Sequence, residues 1–95
     1  MENAKQEMDF LSEKAETLKA LAHPVRLCIL KGLLDSGACN VTKIQCCLDL
    51  PQSTISQHLG KLRLVKLIQA DRQGNEVYYS IVSERVKNIL KALFS

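Results

Sequence analysis

Residues 40–66, NVTKIQCCLDLPQSTISQHLGKLRLVK, carry two short helical patterns separated by a three-residue corner. Asn40 suits an N-cap, and a helix from Val41 to Leu48 turns Val41, Ile44 and Leu48 inward. Asp49-Leu50-Pro51 makes the corner. A following helix, from about Pro51 to Lys66, places Ile55, Leu59 and Leu62 on one face, because side chains three and four positions apart lie above one another. Gln52, Ser53, Ser56, Gln57 and Lys61 then turn mostly outward. Two helices joined by so short a turn form a helix-turn-helix.

Upstream, residues Lys5 to Ala20 read as a first helix in which Met8, Leu11, Ala15, Leu18 and Ala22 recur at alternating steps of three and four, a narrow stripe suited to a partner helix. His23-Pro24 interrupts it. Pro24 fits a first helical position, where the amide it lacks would be unpaired. The second helix runs to about Asp35 and is apolar almost all round (Val25, Leu27, Cys28, Ile29, Leu30, Leu33, Leu34), which predicts a central place in the core with Cys28 as a small hydrophobe there. Ser36-Gly37 ends it. Downstream of Lys66 the period drops to about two. A segment from Leu67 to Arg72, a polar tip at Gln73-Gly74-Asn75 and a β-rich run from Val77 to Ile81 predict a hairpin, with one of Tyr78 and Tyr79 in the core. A lone hairpin is marginal, so it must pack on the helices as a wing. Ser83 caps a last helix carrying Val86, Ile89, Leu90, Leu93 and Phe94. The expected architecture is mainly α with a β-hairpin wing: a winged helix-turn-helix of five helices, the wing before the fifth, in a single domain over residues 1–95 with residues 1–4 loose.

A chain of 95 residues, 46% hydrophobic and 24% charged, falls among globular domains rather than disordered ones. A domain this small buries little more than half of its unfolded surface, which favours self-association. No run approaches the roughly 18 apolar residues of a membrane span, and the acidic start lacks the features of a signal peptide. A cytoplasmic protein is expected. Its +3 charge is unevenly spread: residues 1–50 hold six Lys/Arg against seven Asp/Glu, residues 51–95 seven against three. Such asymmetry points the second half at a polyanion, the alternative being a modest excess of Lys on solvated helix faces. Enzyme classes fit poorly, since no Gly-rich phosphate loop, carboxylate pair or nucleophile with an oriented base can be assembled.

A major groove about 12 Å wide admits one helix, and base edges are read there by short side chains that both donate and accept. Gln52, Ser53, Thr54, Ser56 and Gln57 meet that need at the start of the fourth helix, where the dipole and unpaired amides also favour phosphate. Lys61 and Arg63, further along, suit phosphate rather than bases. Arg72, Gln73 and Asn75 at the hairpin tip reach for the minor groove or backbone, and Thr42 and Lys43 are weaker phosphate candidates. Double-stranded DNA is the expected partner.

Leu21-Ala22-His23-Pro24-Val25-Arg26-Leu27, then Gln52-Ser53-Thr54-Ile55-Ser56-Gln57-His58-Leu59, then Arg72-Gln73-Gly74-Asn75-Glu76-Val77-Tyr78-Tyr79-Ser80 together resemble the ArsR/SmtB family of winged-helix repressors over nearly the whole chain. Leu50-Pro51-Gln52-Ser53-Thr54 is further similar to PagR-type members, which lack the usual metal ligands. The resemblance implies a DNA-reading fourth helix, a dimer joined through the first and last helices, repression of transcription, and release when an effector is sensed. On that plan the interface would hold Met8, Leu11, Ala15 and Leu18 with Val86, Ile89, Leu90 and Leu93. Two recognition helices would then sit about one DNA turn, roughly 34 Å, apart on a pseudo-palindromic operator.

Metal sensors of this family carry a Cys-x-Cys pair where this chain has Asn40 and Thr42, and Asp and His where it has Ser83 and Arg85. Cys39 is one residue off, a turn of about 100° on a helix. No metal site and no cofactor are expected. His58 is expected to pack or to bond to backbone rather than to ligate. Four cysteines in a reducing compartment read as thiols. A thiol switch joining Cys39 with Cys46 or Cys47, or a soft-metal site across the dimer, remains the alternative, and the small-molecule or redox effector is left unidentified.

Overall fold

The structure, a computed structural model, describes residues 4–95 except for the side chains of Cys46 and Cys47. Five helices occur among them, α1 (Ala4–Leu21), α2 (Pro24–Ser36), α3 (Val41–Leu48), α4 (Gln52–Leu64) and α5 (Glu84–Phe94), with strands β1 (Cys39–Asn40), β2 (Ile68–Gln73) and β3 (Glu76–Ile81). Residue 4, expected to be loose, is already helical, and residues 1–3 lie outside the described residues.

Local chemistry sets the helix boundaries. Pro24 opens α2, and the His23 ring caps it by accepting the Val25 amide at Nδ1, 3.1 Å away. Gly37, with φ of 77°, ends that helix where a side chain would be strained. Asn40 Oδ1 accepts the Lys43 amide at 2.9 Å and Ser83 Oγ the Val86 amide at 3.1 Å, so both expected caps form. The corner between α3 and α4 passes through Asp49 in the left-handed region and is tied by Gln45 Nε2 donating to the Leu50 carbonyl at 3.2 Å. At the other end of α4, the Leu67 amide reaches the Leu62 carbonyl at 3.0 Å while Lys66 takes φ of 62°.

One cluster of buried side chains draws on every element: Leu21 of α1, Ile29, Leu30 and Leu33 of α2, Ile44 of α3, Ile55, Leu59 and Leu62 of α4, Ile68 and Ile81 of the hairpin, and Val86 and Leu90 of α5 among them. The sheet is antiparallel in the order β1-β3-β2. Gln73 pairs with Glu76 across a two-residue turn at Gly74-Asn75, with positive φ at Gly74. The third strand was not expected. Cys39 pairs with Tyr79 and Asn40 with Tyr78, which anchors the hairpin base to the helix-turn-helix.

Packing corrects two further expectations. Cys28 is exposed rather than in the core, because α2 buries the arc of Ile29, Leu30 and Leu33 and leaves Cys28, Lys31, Gly32 and Asp35 outside. Val86 and Leu90, expected at an interface, are instead buried in this chain's own core. On the same helix Ile89 is half-buried, and Leu93 and Phe94 are exposed. The two tyrosines divide as expected: Tyr79, half-buried, packs on the core, while Tyr78 donates its hydroxyl to Glu76 at 2.9 Å.

Candidate nucleic-acid interface

Helix α4 is held from behind by Ile55, Leu59 and Leu62, which are almost completely enclosed. A helix pinned along one face presents the opposite face in a fixed orientation. Gln52, Ser53, Ser56 and Gln57 are exposed there and Thr54 is half-buried. The helix starts at Pro51, which offers no side-chain cap, and the amides of Thr54 and Ile55 turn back onto the Pro51 carbonyl. Its N-terminus therefore keeps its positive end without a protein acceptor supplied by the capping residue. Lys61 and Arg63 continue the exposed side, both in the last turn.

Thr42 and Lys43 are exposed at the start of α3, with the Lys43 amide already committed to Asn40. Arg72, Gln73 and Asn75 are exposed at the hairpin tip, and exposure grows from Ile68 outward, so the wing leaves the core before it turns. Gln73 Nε2 donates to Asp71 at 3.4 Å. Glu76 holds the Tyr78 phenol proton through a hydrogen bond and its charge, raising that pKa above the ordinary tyrosine value.

His58 of α4 packs, one of the two roles expected of it, but sequence reasoning missed its partner. His58 packs on the ring of His23 from the α1–α2 junction, centroids 4.5 Å apart. Burial lowers the His58 pKa below the usual 6.5, and the charges of His23, Arg26 and Lys61 lower it further. The signal was present in Leu21 to Leu27, a run with both a His and an Arg beside a helix start, but nothing local says which helix they meet.

Cys39 is 4% exposed, and its thiol donates to the Gly37 carbonyl at 3.4 Å. It shares a small cleft between α2 and α3 with Cys28, Lys43, Ile44 and Leu48. Cys46 and Cys47, the other thiol candidates, have side chains outside the described residues. Among the described residues no group of three His, Cys, Asp or Glu is arranged to hold a metal, and no helix is long and apolar enough to cross a membrane.

On α1, Met8, Leu11 and Leu18 are exposed, as are Ala15 and Phe10 on the same helix. Leu93 and Phe94 extend apolar surface at the end of α5.

Comparison with known proteins matches this geometry. A family model described as a helix-turn-helix domain covers residues 21–69. The transcriptional repressor PagR of Bacillus anthracis is 51% identical over 83 residues, spanning 87% of this chain and 83% of that protein. Its crystal structure superposes with a TM-score of 0.82 at 49% identity, covering 90% of this chain and 98% of the other. The HTH-type transcriptional repressor SmtB of Mycobacterium tuberculosis is 34% identical over 82 residues, spanning 86% of this chain and 60% of that protein. The homodimeric winged helix-turn-helix DNA-binding domain of Mb0332 from Mycobacterium bovis, described as a possible ArsR-family regulator, gives a TM-score of 0.87 at 29% identity over 97% of this chain and 84% of its own.

Proposed function

The chain belongs to the ArsR/SmtB family of winged-helix, DNA-binding transcriptional repressors, and from that premise we propose that residues 1–95 act as one such domain, two copies reading a pseudo-palindromic operator in the cytoplasm. The observation that carries this reading is the outward arc of α4, in which Gln52, Ser53, Ser56 and Gln57 stand free of the core while Ile55, Leu59 and Leu62 fix the helix behind them. Short amide and hydroxyl side chains on a rigid helix are the chemistry of base-edge recognition. Thr54 contributes at the same turn. The uncapped start of α4 takes a backbone phosphate, joined by Lys61, Arg63, Thr42 and Lys43. Arg72, Gln73 and Asn75 hold the flanking minor groove or backbone.

The two copies join through α1 and α5, along Met8, Leu11, Ala15 and Leu18 of one helix and Ile89, Leu93 and Phe94 of the other. Six large apolar side chains left open on these helices are the support for it, since a domain this small gains most from covering such surface. Repression follows from occlusion of the promoter. Release by an effector, through a thiol switch at Cys39 with Cys46 or Cys47, is the reading's regulatory arm; Cys39 would have to be uncovered first, given its burial. Selection of bound duplexes from a random DNA pool, followed by titration of the winning sequence, tests the whole reading: a selected pseudo-palindrome supports it, and a pool with no enrichment refutes it.

A further inference from the structure

Arg26 sits three residues into α2 with its charge poorly matched. Its Nε is shut off from solvent and has no hydrogen-bond partner among the described residues, while Nη2 reaches only the Lys19 carbonyl, at 3.5 Å. A guanidinium carries five donors and no acceptors, so a half-buried one with a single long bond is short of negative charge. Arg26 lines an open cleft with Lys19 and Ala20 at the end of α1 and with Lys61, Leu64 and Val65 at the end of α4. Glu16 is the one carboxylate on its wall, and it lies 3.3 Å from Lys19, which it pairs with on the surface. Lys61 makes no ion pair among the described residues. Three cations therefore face the cleft against one acid already engaged.

The surroundings add to the imbalance. His58 and His23 pack together beside it, and protonation of His58 is opposed first by burial and then by the charges of His23, Arg26 and Lys61, so the cleft borders a locally positive region. Lys61 also lies one helical turn beyond Gln57, so the cleft continues the exposed side of the proposed reading helix. Its open space, about 330 Å³, leaves room for a tetrahedral oxyanion with some of its water.

We propose that this cleft between α1, α2 and α4 is a phosphate site, in which Arg26 and Lys61, assisted by Lys19, hold a phosphate oxyanion. Arginine suits the role because its planar fork meets two oxygens at once, and lysine adds a point charge from the facing helix. The oxyanion comes either from the DNA backbone or from a free phosphorylated molecule, and the proposal deepens the DNA-binding reading in the first case. Because the site joins α4 to the helix pair behind it, occupancy bears on how firmly the reading helix is held.

The first test uses the DNA-free protein. Inorganic phosphate is titrated at constant ionic strength while the His58 ring protons are followed by NMR; a saturable shift is expected, with the His58 pKa rising as the neighbouring cations are neutralised. Arg26→Gln and Lys61→Gln should each weaken binding by about tenfold or more, whereas Lys31→Gln, on the far side of α2, should not. Since Arg26 also bonds the end of α1, the exposed Lys61 variant keeps the test valid if Arg26→Gln folds poorly. The second test measures the salt dependence of binding to a random duplex. A backbone source lowers the logarithmic slope by about one per protomer in Arg26→Gln; a free source leaves the slope alone but lets inorganic phosphate alter wild-type DNA affinity. No saturable titration together with an unchanged slope overturns the proposal. Failure of the wild type to bind any duplex would instead overturn the DNA reading, and the phosphate titration would still judge the cleft.

Discussion

Replacing Gln57 with alanine isolates base reading from every other contribution. The side chain is exposed, and no hydrogen bond ties it to another described residue, so its loss costs the fold nothing and alanine is the better helix former by a few tenths of a kcal/mol. Any change in DNA affinity therefore reports the interface. A two-bond contact to a base is worth about 1 to 3 kcal/mol in discrimination. Two copies on a pseudo-palindrome double that to about 2 to 6 kcal/mol per dimer, roughly thirtyfold to twenty-thousandfold in affinity. Fluorescence anisotropy against the selected operator and a random duplex, at several salt concentrations, reads both terms. The expected result is a loss on the operator with the random duplex unaffected. Arg72→Ala should do the opposite, weakening both duplexes and reducing the salt slope by about one per protomer. Equal losses on both sequences in Gln57→Ala would refute the assignment of base reading to this arc.

The other expectations concern assembly, thiols and acid. Leu18→Glu and Leu93→Asp should leave folded monomers in sedimentation, whereas Leu90→Asp should unfold the chain, because Leu90 has no exposed surface; a dimer persisting in both surface variants would dismiss the α1–α5 interface. Brief alkylation of the native, reduced protein with peptide mapping should label Cys28 and spare Cys39 until denaturant is added, and rapid labelling of Cys39 would contradict its place in the core. His58 has a lowered pKa, so as pH falls past about 6.5 the unfolded chain takes up the proton first. Stability should be lost from there down to the lower folded pKa, with no contribution above. Urea midpoints at about pH 7.5 and about pH 5.5 should differ less in His58→Gln than in the wild type; an identical difference would remove His58 as the cause.

Most of the candidate site was legible because it is written locally. Asn40 and Ser83 announce helix starts through their own side chains, and the spacing of Ile55, Leu59 and Leu62 says which side of α4 faces out without reference to the rest of the chain. Less legible was α2, apolar almost all round, since a helix without polar asymmetry gives no local clue to which arc is covered; Cys28 was misplaced for that reason. The last helix misled in a similar way. Val86, Ile89, Leu90 and Leu93 form one stripe in the sequence, yet the subunit's own core takes Val86 and Leu90 and leaves Ile89, Leu93 and Phe94 toward the outside. Strand β1 is two residues long, too short to register as a period, and Asn40 spends its side chain on capping α3.

By itself, then, the order of residues determined where helices begin and end, that a hairpin follows α4, and which short polar side chains α4 offers, because each depends on neighbours within a turn or two. Tertiary structure alone decided that β1 pairs with β3, that His23 meets His58, and that Arg26 and Lys61 face a shared cleft. Those partners are far apart along the chain, and only the packing of α1, α2 and α4 around one core brings their charges close enough to act together.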